Sequence, residues 1–109
     1  MAKITIDNQV EDSWQETIEQ SANLVLSSLG PSISSIRIEF VELPANKERG
    51  KRFRCRVLSP GLGHGFDQVA VEHPNGFTAI DGALQRFRRI VNHIRQIGRL
   101  DQQQGYLRT

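Results

Sequence analysis

The longest regular pattern of apolar residues in the chain lies between Phe77 and Arg99. Apolar residues recur there at steps of four, three, four and three positions, and they are Ile80, Leu84, Phe87, Val91 and Ile94. This spacing places all of them on one face of an α-helix. We therefore predict a helix from Phe77 to about Arg99 with one face buried in the core.

A second apolar stripe with helical spacing begins near the N-terminus. Its members are Trp14, Ile18, Ala22, Val25 and Leu29. Ser13 with Glu16 three residues later is typical of a capping box at a helix N-terminus, and Gly30 with Pro31 is a helix stop signal. The pattern predicts a helix from Ser13 to Leu29.

Four short segments alternate apolar with polar residues, as half-buried strands do. They are Lys3–Asp7, Ile36–Val41, Arg52–Val57 and Val69–Glu72. The polar stretch Pro44–Gly50 predicts a hairpin loop, and the glycines of Ser59–Gly65 predict a flexible connection. The element order is therefore β-α-β-β-β-α, and the last three strands should form an antiparallel meander.

These patterns together predict an α+β fold. Each strand and each helix has one apolar face, so both helices should pack on the same face of a four-stranded sheet. The opposite sheet face is then left to solvent or to a partner, and Arg52, Arg54 and Arg56 lie on it. We predict one domain over residues 1–99 and a disordered tail over residues 100–109, where no apolar period continues.

The composition fits a small domain with a single aliphatic core. A length of 109 residues is enough to close such a core without covalent staples. Cys55 is the one cysteine, which excludes an internal disulfide and an all-cysteine metal site. No apolar run is long enough for a signal peptide or a membrane span. We therefore expect a soluble, cytoplasmic protein.

Charge is unevenly distributed along the chain. The net charge is only +2, from 14 basic and 12 acidic residues. The first helix begins in an acidic stretch that holds Glu11, Asp12, Glu16 and Glu19. The region of the third strand is basic and holds Lys47, Arg49, Lys51, Arg52, Arg54 and Arg56 against Glu48 alone. The distribution of charge therefore says more about partners than its sum does.

The predicted C-terminal helix is also basic. At about 100° per residue, Arg86, Arg89 and His93 fall opposite the apolar stripe, and no acidic residue follows Asp81 as far as Arg99. Arg88, Arg95 and Arg99 line one flank of the same helix. Clustered arginines on one helix favour a polyanion-binding surface. The alternative is a solubilising role near the negative end of the helix dipole, which accounts for Arg95 and Arg99 better than for the others.

No arrangement of residues points to catalysis, a metal or a cofactor. His64, His73 and His93 have no histidine partner at ligand spacing, and the glycines of Gly61–Gly65 lack the spacing of a phosphate-binding loop. Cys55 lies on the apolar face of its strand with no base beside it, and Trp14 belongs to a core stripe. We therefore predict a non-enzymatic protein without a small-molecule substrate.

The segment Val69–His93 resembles the last strand and second helix of the ribosome hibernation-promoting factors, also called ribosome-associated inhibitors or ribosomal subunit interface proteins. The motif that carries the resemblance is an aromatic and a polar residue followed by Ala-Ile-Asp, here from Phe77 to Asp81. Arg86, Phe87 and Arg89 stand where that family's helix has a basic, an apolar and a basic residue. The element order and the chain length match the short form of the family.

The resemblance implies a factor that binds the small ribosomal subunit through its ribosomal RNA, in the channel for messenger and transfer RNA. Such a factor silences translation in starved or stationary cells and is expected to be monomeric off the ribosome. The candidate RNA-binding residues are Arg86, Arg88, Arg89, His93, Arg95 and Arg99 on the helix and Lys51, Arg52, Arg54 and Arg56 on the third strand.

Two other functions remain open from the sequence. An α-β-β-β-α order is also that of double-stranded RNA-binding domains, although these place their basic cluster at the N-terminus of the last helix. A regulatory module that applies its basic helix to an acidic protein partner would need the same arginines and no RNA.

Overall fold

A computed structural model gives the fold of the chain. It describes residues 3–29, 35–48, 50–59 and 68–107, and it describes residue 46 and residues 97–107 by their backbone only. The elements in chain order are β1 (Lys3–Asn8), a 3₁₀ turn (Asp12–Trp14), α1 (Gln15–Leu29), β2 (Ser35–Asn46), β3 (Gly50–Leu58), β4 (Gln68–His73) and α2 (Gly76–Leu107). The α+β fold class and the order β-α-β-β-β-α are therefore confirmed.

The four strands form one mixed sheet in the order β1-β2-β3-β4. β1 is parallel to β2, with Ile4 opposite Ile36, which is possible because α1 carries the chain back across the sheet between them. β2, β3 and β4 are antiparallel neighbours, with Phe40 opposite Cys55 and Cys55 opposite Val71. The predicted meander is thus confirmed.

Both helices cover the same face of this sheet. The buried core comprises Ile18, Ala22, Val25, Leu29, Ile36, Ile38, Phe40, Phe53, Cys55, Val57, Val69, Ala79, Ile80, Ala83, Leu84, Phe87 and Val91. α1 packs against β1 and α2, and α2 packs against β3 and β4. The start of α2 lies beside Trp14 and Arg95 reaches Leu29, so the two helices run side by side in the same direction.

The first helix begins differently from the prediction. The predicted capping box of Ser13 and Glu16 is absent, because Ser13 lies inside the 3₁₀ turn and donates its hydroxyl to the Glu11 carboxylate at 3.3 Å. Asn8 instead shapes this corner: its side-chain oxygen accepts from the Val10 amide at 3.0 Å, and its amide nitrogen donates to the Glu11 carbonyl at 2.6 Å.

The loop of the β2–β3 hairpin is shorter than the predicted loop Pro44–Gly50, because part of that stretch belongs to the strands. β2 continues through Pro44 to Asn46, and the strand register shifts between Leu43 and Asn46. Such an irregularity accommodates a proline, which cannot donate to the ladder. Gly50 then opens β3 with φ of 63°, a left-handed conformation that favours glycine.

Two further sequence predictions concern the ends of elements. α2 extends past the predicted end near Arg99 to Leu107, and the sequence after Arg99 contains no proline and several glutamines, which are good helix formers. The predicted disorder of residues 100–109 stays a prediction. The predicted flexible connection Ser59–Gly65 lies outside the described residues except for Ser59, which is buried and donates its hydroxyl to the Ser35 carbonyl at 2.8 Å.

Candidate nucleic-acid interface

The position of α2 is fixed at its N-terminus by a side-chain cap. The Asn75 side-chain oxygen accepts a hydrogen bond from the Thr78 amide at 3.0 Å, and the Asn75 carbonyl accepts one from the Ala79 amide at 3.1 Å. The backbone N–H of Asn75 in turn donates to Nδ1 of His73 at 3.0 Å. This cap satisfies backbone donors that would otherwise be unpaired and sets the point where the helix begins.

The first residue of α2 must also be small. A Cβ atom on Gly76 would lie 2.8 Å from the Trp14 ring and 3.1 Å from the Phe40 ring. Trp14 packs against Phe40 and Phe53 with ring centroids 5.2 and 5.8 Å apart, so this ring cluster has little room to move. Trp14 is half-buried and packs against the core, as its place in the apolar stripe predicted, and the helix approaches it closely only because residue 76 is glycine.

The far part of α2 is anchored by a contact with α1. The Arg95 guanidinium donates a hydrogen bond to the carbonyl of Leu29, the last residue of α1. A cation at a helix C-terminus satisfies an unpaired carbonyl and interacts favourably with the helix dipole. Arg95, one of the predicted RNA-binding residues, thus has a structural partner within the chain.

Three of the predicted residues form one exposed surface. Because Ile80, Leu84, Phe87 and Val91 are buried, Arg86, Arg89 and His93 point away from the sheet and are exposed. We call Arg86, Arg89 and His93 the helix surface. Together with the half-buried Ile90 they line a shallow groove of about 170 Å³. The sequence periodicity therefore placed these three side chains correctly.

Arg88 and Arg99 complete the predicted helical set. Arg88 lies on the flank of α2 and is half-buried, and the Arg99 side chain lies outside the described residues. Neither Arg86, Arg88 nor Arg89 forms an ion pair with any residue whose side chain the structure describes. The positive charge of the helix surface is therefore not offset by neighbouring carboxylates in this part of the chain.

The arginines of β3 lie on the other side of the molecule, on the sheet face that the helices leave open. Phe53, Cys55 and Val57 point into the core, so the alternate residues Arg52, Arg54 and Arg56 point outward, as predicted. Strand pairing places them opposite Leu43, Val41 and Glu39 of β2, respectively. The helix surface and the arginines of β3 therefore face in opposite directions.

Several cations on the sheet are paired with carboxylates. Arg37 contacts Asp7 at 3.1 Å and Glu39 at 3.4 Å, and Arg56 contacts Glu39 at 3.3 Å. At the start of β3, Lys51 contacts Glu42 at 2.8 Å. This hydrogen bond to Glu42 raises the pKa of the Lys51 ammonium above its usual value.

The ion pair between Asp7 and Arg37 was not predicted from the sequence. Asp7 and Arg37 are far apart in the chain, and they meet only because β1 lies parallel to β2 with Asp7 opposite Glu39. The available signal was the acidic residue on the outward face of each strand, but it becomes usable only when the strand register is known.

The exposure of Phe77 was also missed. Phe77 is the first residue of the motif that carries the family resemblance. It is 55% exposed at the start of α2 and is not part of the core.

Among the described residues, the remaining chemistry-bearing side chains form no catalytic arrangement. Burial raises the pKa of the Cys55 thiol to about 12, so the reactive thiolate is scarce at neutral pH. His64 lies outside the described residues. Within the described part of the chain, no three His, Cys, Asp or Glu side chains group together as metal ligands. No helix in that part is long and apolar enough to cross a membrane.

Comparison with solved structures places the fold among known ones. The N-terminal domain of Protein Y from Thermus thermophilus superposes with a TM-score of 0.55 and 19% identity, over 85% of this chain and 98% of that domain. A ribosomal subunit interface protein from Coxiella burnetii superposes with a TM-score of 0.53 and 15% identity, over 86% of this chain and 98% of that protein. No protein-family model and no curated protein sequence matches the chain.

The protein is therefore an α+β protein with the fold of these two proteins. The resemblance predicted from Val69–His93 is confirmed at the level of the fold, because both structures match most of the chain and not only that segment.

Proposed function

We propose that this protein is a non-catalytic ribosome-associated factor that silences translation by binding the small ribosomal subunit through ribosomal RNA. The observation that carries the proposal is the fold shared, over most of the chain, with the N-terminal domain of Protein Y and with a ribosomal subunit interface protein. Ribosome binding also implies a cytoplasmic location.

The helix surface supplies the chemistry that such binding needs. Arg86 and Arg89 present two permanent positive charges with no ion-pair partner among the described side chains. Arginine binds phosphate oxygens through a planar fork of donors. His93 adds an imidazole N–H donor beside them. α2 is held at Asn75, at Gly76 and at Leu29, so these side chains stand on a rigid support.

Binding of this kind should be strongly salt-dependent. Each phosphate contact that releases a counterion contributes about 0.7 to 0.9 to the slope of log affinity against log salt. The candidate contacts on α2 are guanidinium and imidazole groups, which donate to phosphate oxygens, and phosphate and sugar receive most protein–nucleic acid hydrogen bonds. We therefore expect affinity without strong sequence preference.

The observed topology disfavours one alternative. The α-β-β-β-α order of a double-stranded RNA-binding domain does not include a strand like β1, which here is hydrogen-bonded parallel to β2 and carries Asp7, a partner of Arg37. A module for an acidic protein partner would use the same helix surface, and its binding is separated from RNA binding by the experiment below.

Sucrose-gradient sedimentation with purified ribosomal subunits tests the proposal. The protein should migrate with the small subunit at low salt and return to the top of the gradient as salt is raised. Protein that stays at the top at every salt concentration would contradict ribosome binding. In that case the ratio of absorbance at 260 and 280 nm of the purified protein separates a non-ribosomal RNA partner, which co-purifies, from an acidic protein partner.

A further inference from the structure

The open face of the sheet contains a small pocket between the end of β1 and the middle of β2 and β3. Its volume is about 180 Å³, and it is lined by Gln9, Glu39, Val41, Arg54 and Arg56. The strand register explains how it forms. Val41 lies opposite Arg54 and Glu39 lies opposite Arg56, so a short apolar side chain is surrounded by longer polar ones. The Gln9 amide donates to the Phe40 carbonyl at 2.9 Å, which holds Gln9 beside β2.

Most polar groups around the pocket already have partners. Glu39 is shared between Arg56 at 3.3 Å and Arg37 at 3.4 Å, and Arg56 also donates to Gln68 at 2.8 Å. The Gln9 side-chain nitrogen donates to Asp7 at 3.1 Å. The Glu39 carboxylate is therefore paired with Arg37 and Arg56, and not with Arg54.

Arg54 differs from these groups. Its Nε atom is buried and has no hydrogen-bond acceptor among the described residues. The Nε atom of Arg52 is likewise buried without an acceptor among them. Glu72 lies opposite Arg54 on β4 but forms no ion pair with it. A buried charged donor without an acceptor is costly, so such a group calls for a partner.

We propose that this pocket binds one phosphate group, with Arg54 as its principal ligand and Arg56 beside it. Arginine is the residue best suited to phosphate oxygens, since its donors form a fixed fork. Drug-sized ligands occupy pockets of about 300–1,000 Å³. The volume here suits a phosphate with a short organic stem. The phosphate belongs either to an RNA strand or to a free phosphorylated molecule, and both sources present the same oxyanion.

This inference does not depend on ribosome binding. The pocket lies on the open face of the sheet, and the helix surface lies on the side that α2 covers, so either site can exist without the other. A failure of the phosphate experiment would leave the sedimentation result untouched, and the reverse also holds.

The test is a titration of ¹⁵N-labelled protein with sodium phosphate, in which sodium chloride keeps the ionic strength constant. The reporter is the Nε–Hε resonance of Arg54, together with the backbone amides of Gln9 and Val41. A saturable shift confined to these groups is expected. Shifts that grow linearly with phosphate, or that an equal concentration of acetate reproduces, would overturn the proposal.

Two matched variants make the titration specific. Arg54→Lys keeps the positive charge and removes the guanidinium, so phosphate affinity should fall about tenfold or more, as expected for a lost charge-assisted hydrogen bond. Arg37→Lys makes the same exchange on the same sheet face, at a residue that does not line the pocket and is paired with Asp7 and Glu39, and it should leave phosphate affinity unchanged. Equal affinity in Arg54→Lys and the unchanged protein would show that Arg54 is not the ligand. The amide spectra of both variants establish that the fold is intact.

A competition experiment then identifies the source of the phosphate. If it belongs to RNA, inorganic phosphate at constant ionic strength should weaken the binding of a short single-stranded oligoribonucleotide, and Arg54→Lys should weaken it as well. If it belongs to a free molecule, phosphate should bind at Arg54 without affecting the oligoribonucleotide. Both results require the saturable titration, and its absence overturns the phosphate site in either case.

Discussion

The protein has two basic surfaces with different electrostatic surroundings. On α2, Arg86 and Arg89 have no ion-pair partner among the described side chains. On the sheet, Arg37, Lys51 and Arg56 are each paired with a carboxylate. A count of arginines therefore overstates the attraction of the sheet for a polyanion. What distinguishes the helix surface is the absence of acidic residues between Asp81 and Arg99.

The two surfaces also differ in what holds their side chains. On the sheet, carboxylates hold Arg37 and Arg56, and part of the charge of these two arginines is used within the fold. The helix surface depends on one rigid helix whose opposite face is buried. Ion pairs at exposed sites contribute little to stability, typically about 0–1 kcal/mol. The pairs on the sheet therefore matter more for local charge than for the free energy of folding.

The largest effect is expected from removing a core anchor of the helix surface. Leu84 is buried on the face of α2 opposite Arg86, Arg89 and His93. Leu84→Ala should lower the free energy of unfolding by about 2–5 kcal/mol, because it leaves a cavity in a packed core. Urea denaturation measures this. A loss below about half a kilocalorie per mole would place Leu84 on the surface and invalidate the helix register on which the comparison rests.

A smaller effect is expected at the start of the same helix. Gly76→Ala places a methyl group 2.8 Å from the Trp14 ring, and we expect a destabilisation of about 1–3 kcal/mol from overpacking. The matched control is Gly82→Ala, whose methyl group would lie 3.4 Å from the Val71 side chain, an ordinary contact. That variant should gain up to about 1 kcal/mol from helix propensity. Thermal melts that rank the two variants in the opposite order would contradict the close approach of α2 to Trp14.

The smallest effect is expected from removing a carboxylate that neutralises arginines on the sheet. Glu39 is the shared partner of Arg37 and Arg56, so Glu39→Gln should raise the affinity of the open face for RNA. The salt slope should steepen by about one unit, since at least one arginine becomes available for phosphate. Stability should change by less than about 1 kcal/mol. An unchanged salt slope would mean that the carboxylate does not limit this surface.

Periodicity in the sequence was sufficient to predict the fold and the location of the helix surface. Apolar residues at helical spacing fixed which side of α2 is buried, and thereby which side carries Arg86 and His93. Alternation along β3 likewise fixed the outward direction of its arginines. These features depend on the order of residues within one element, so they can be predicted before any tertiary contact is known.

Features that depend on two elements could not be predicted in the same way. The pairing of Asp7 with Arg37 requires the register of β1 against β2, and the need for glycine at position 76 requires the position of Trp14. The prediction of a capping box at Ser13 was wrong because the chain enters α1 through a 3₁₀ turn shaped by Asn8. Arg95 was predicted to bind RNA, and its contact with Leu29 became visible only once α1 and α2 lay side by side.

The most direct test of the central claim compares two triple variants in the sedimentation experiment. One replaces Arg86, Arg89 and His93 by glutamine, and the other replaces Arg52, Arg54 and Arg56 by glutamine. Circular dichroism melts should show that both remain folded, since all six side chains point away from the core.

We predict that the helix triple abolishes migration with the small subunit and that the strand triple causes a smaller loss. If some binding persists at low salt, its salt slope in the helix triple should be lower by about one to two units, because two arginine contacts are lost. If the strand triple abolishes binding and the helix triple leaves it unchanged, the open sheet face is the primary site and the account is wrong.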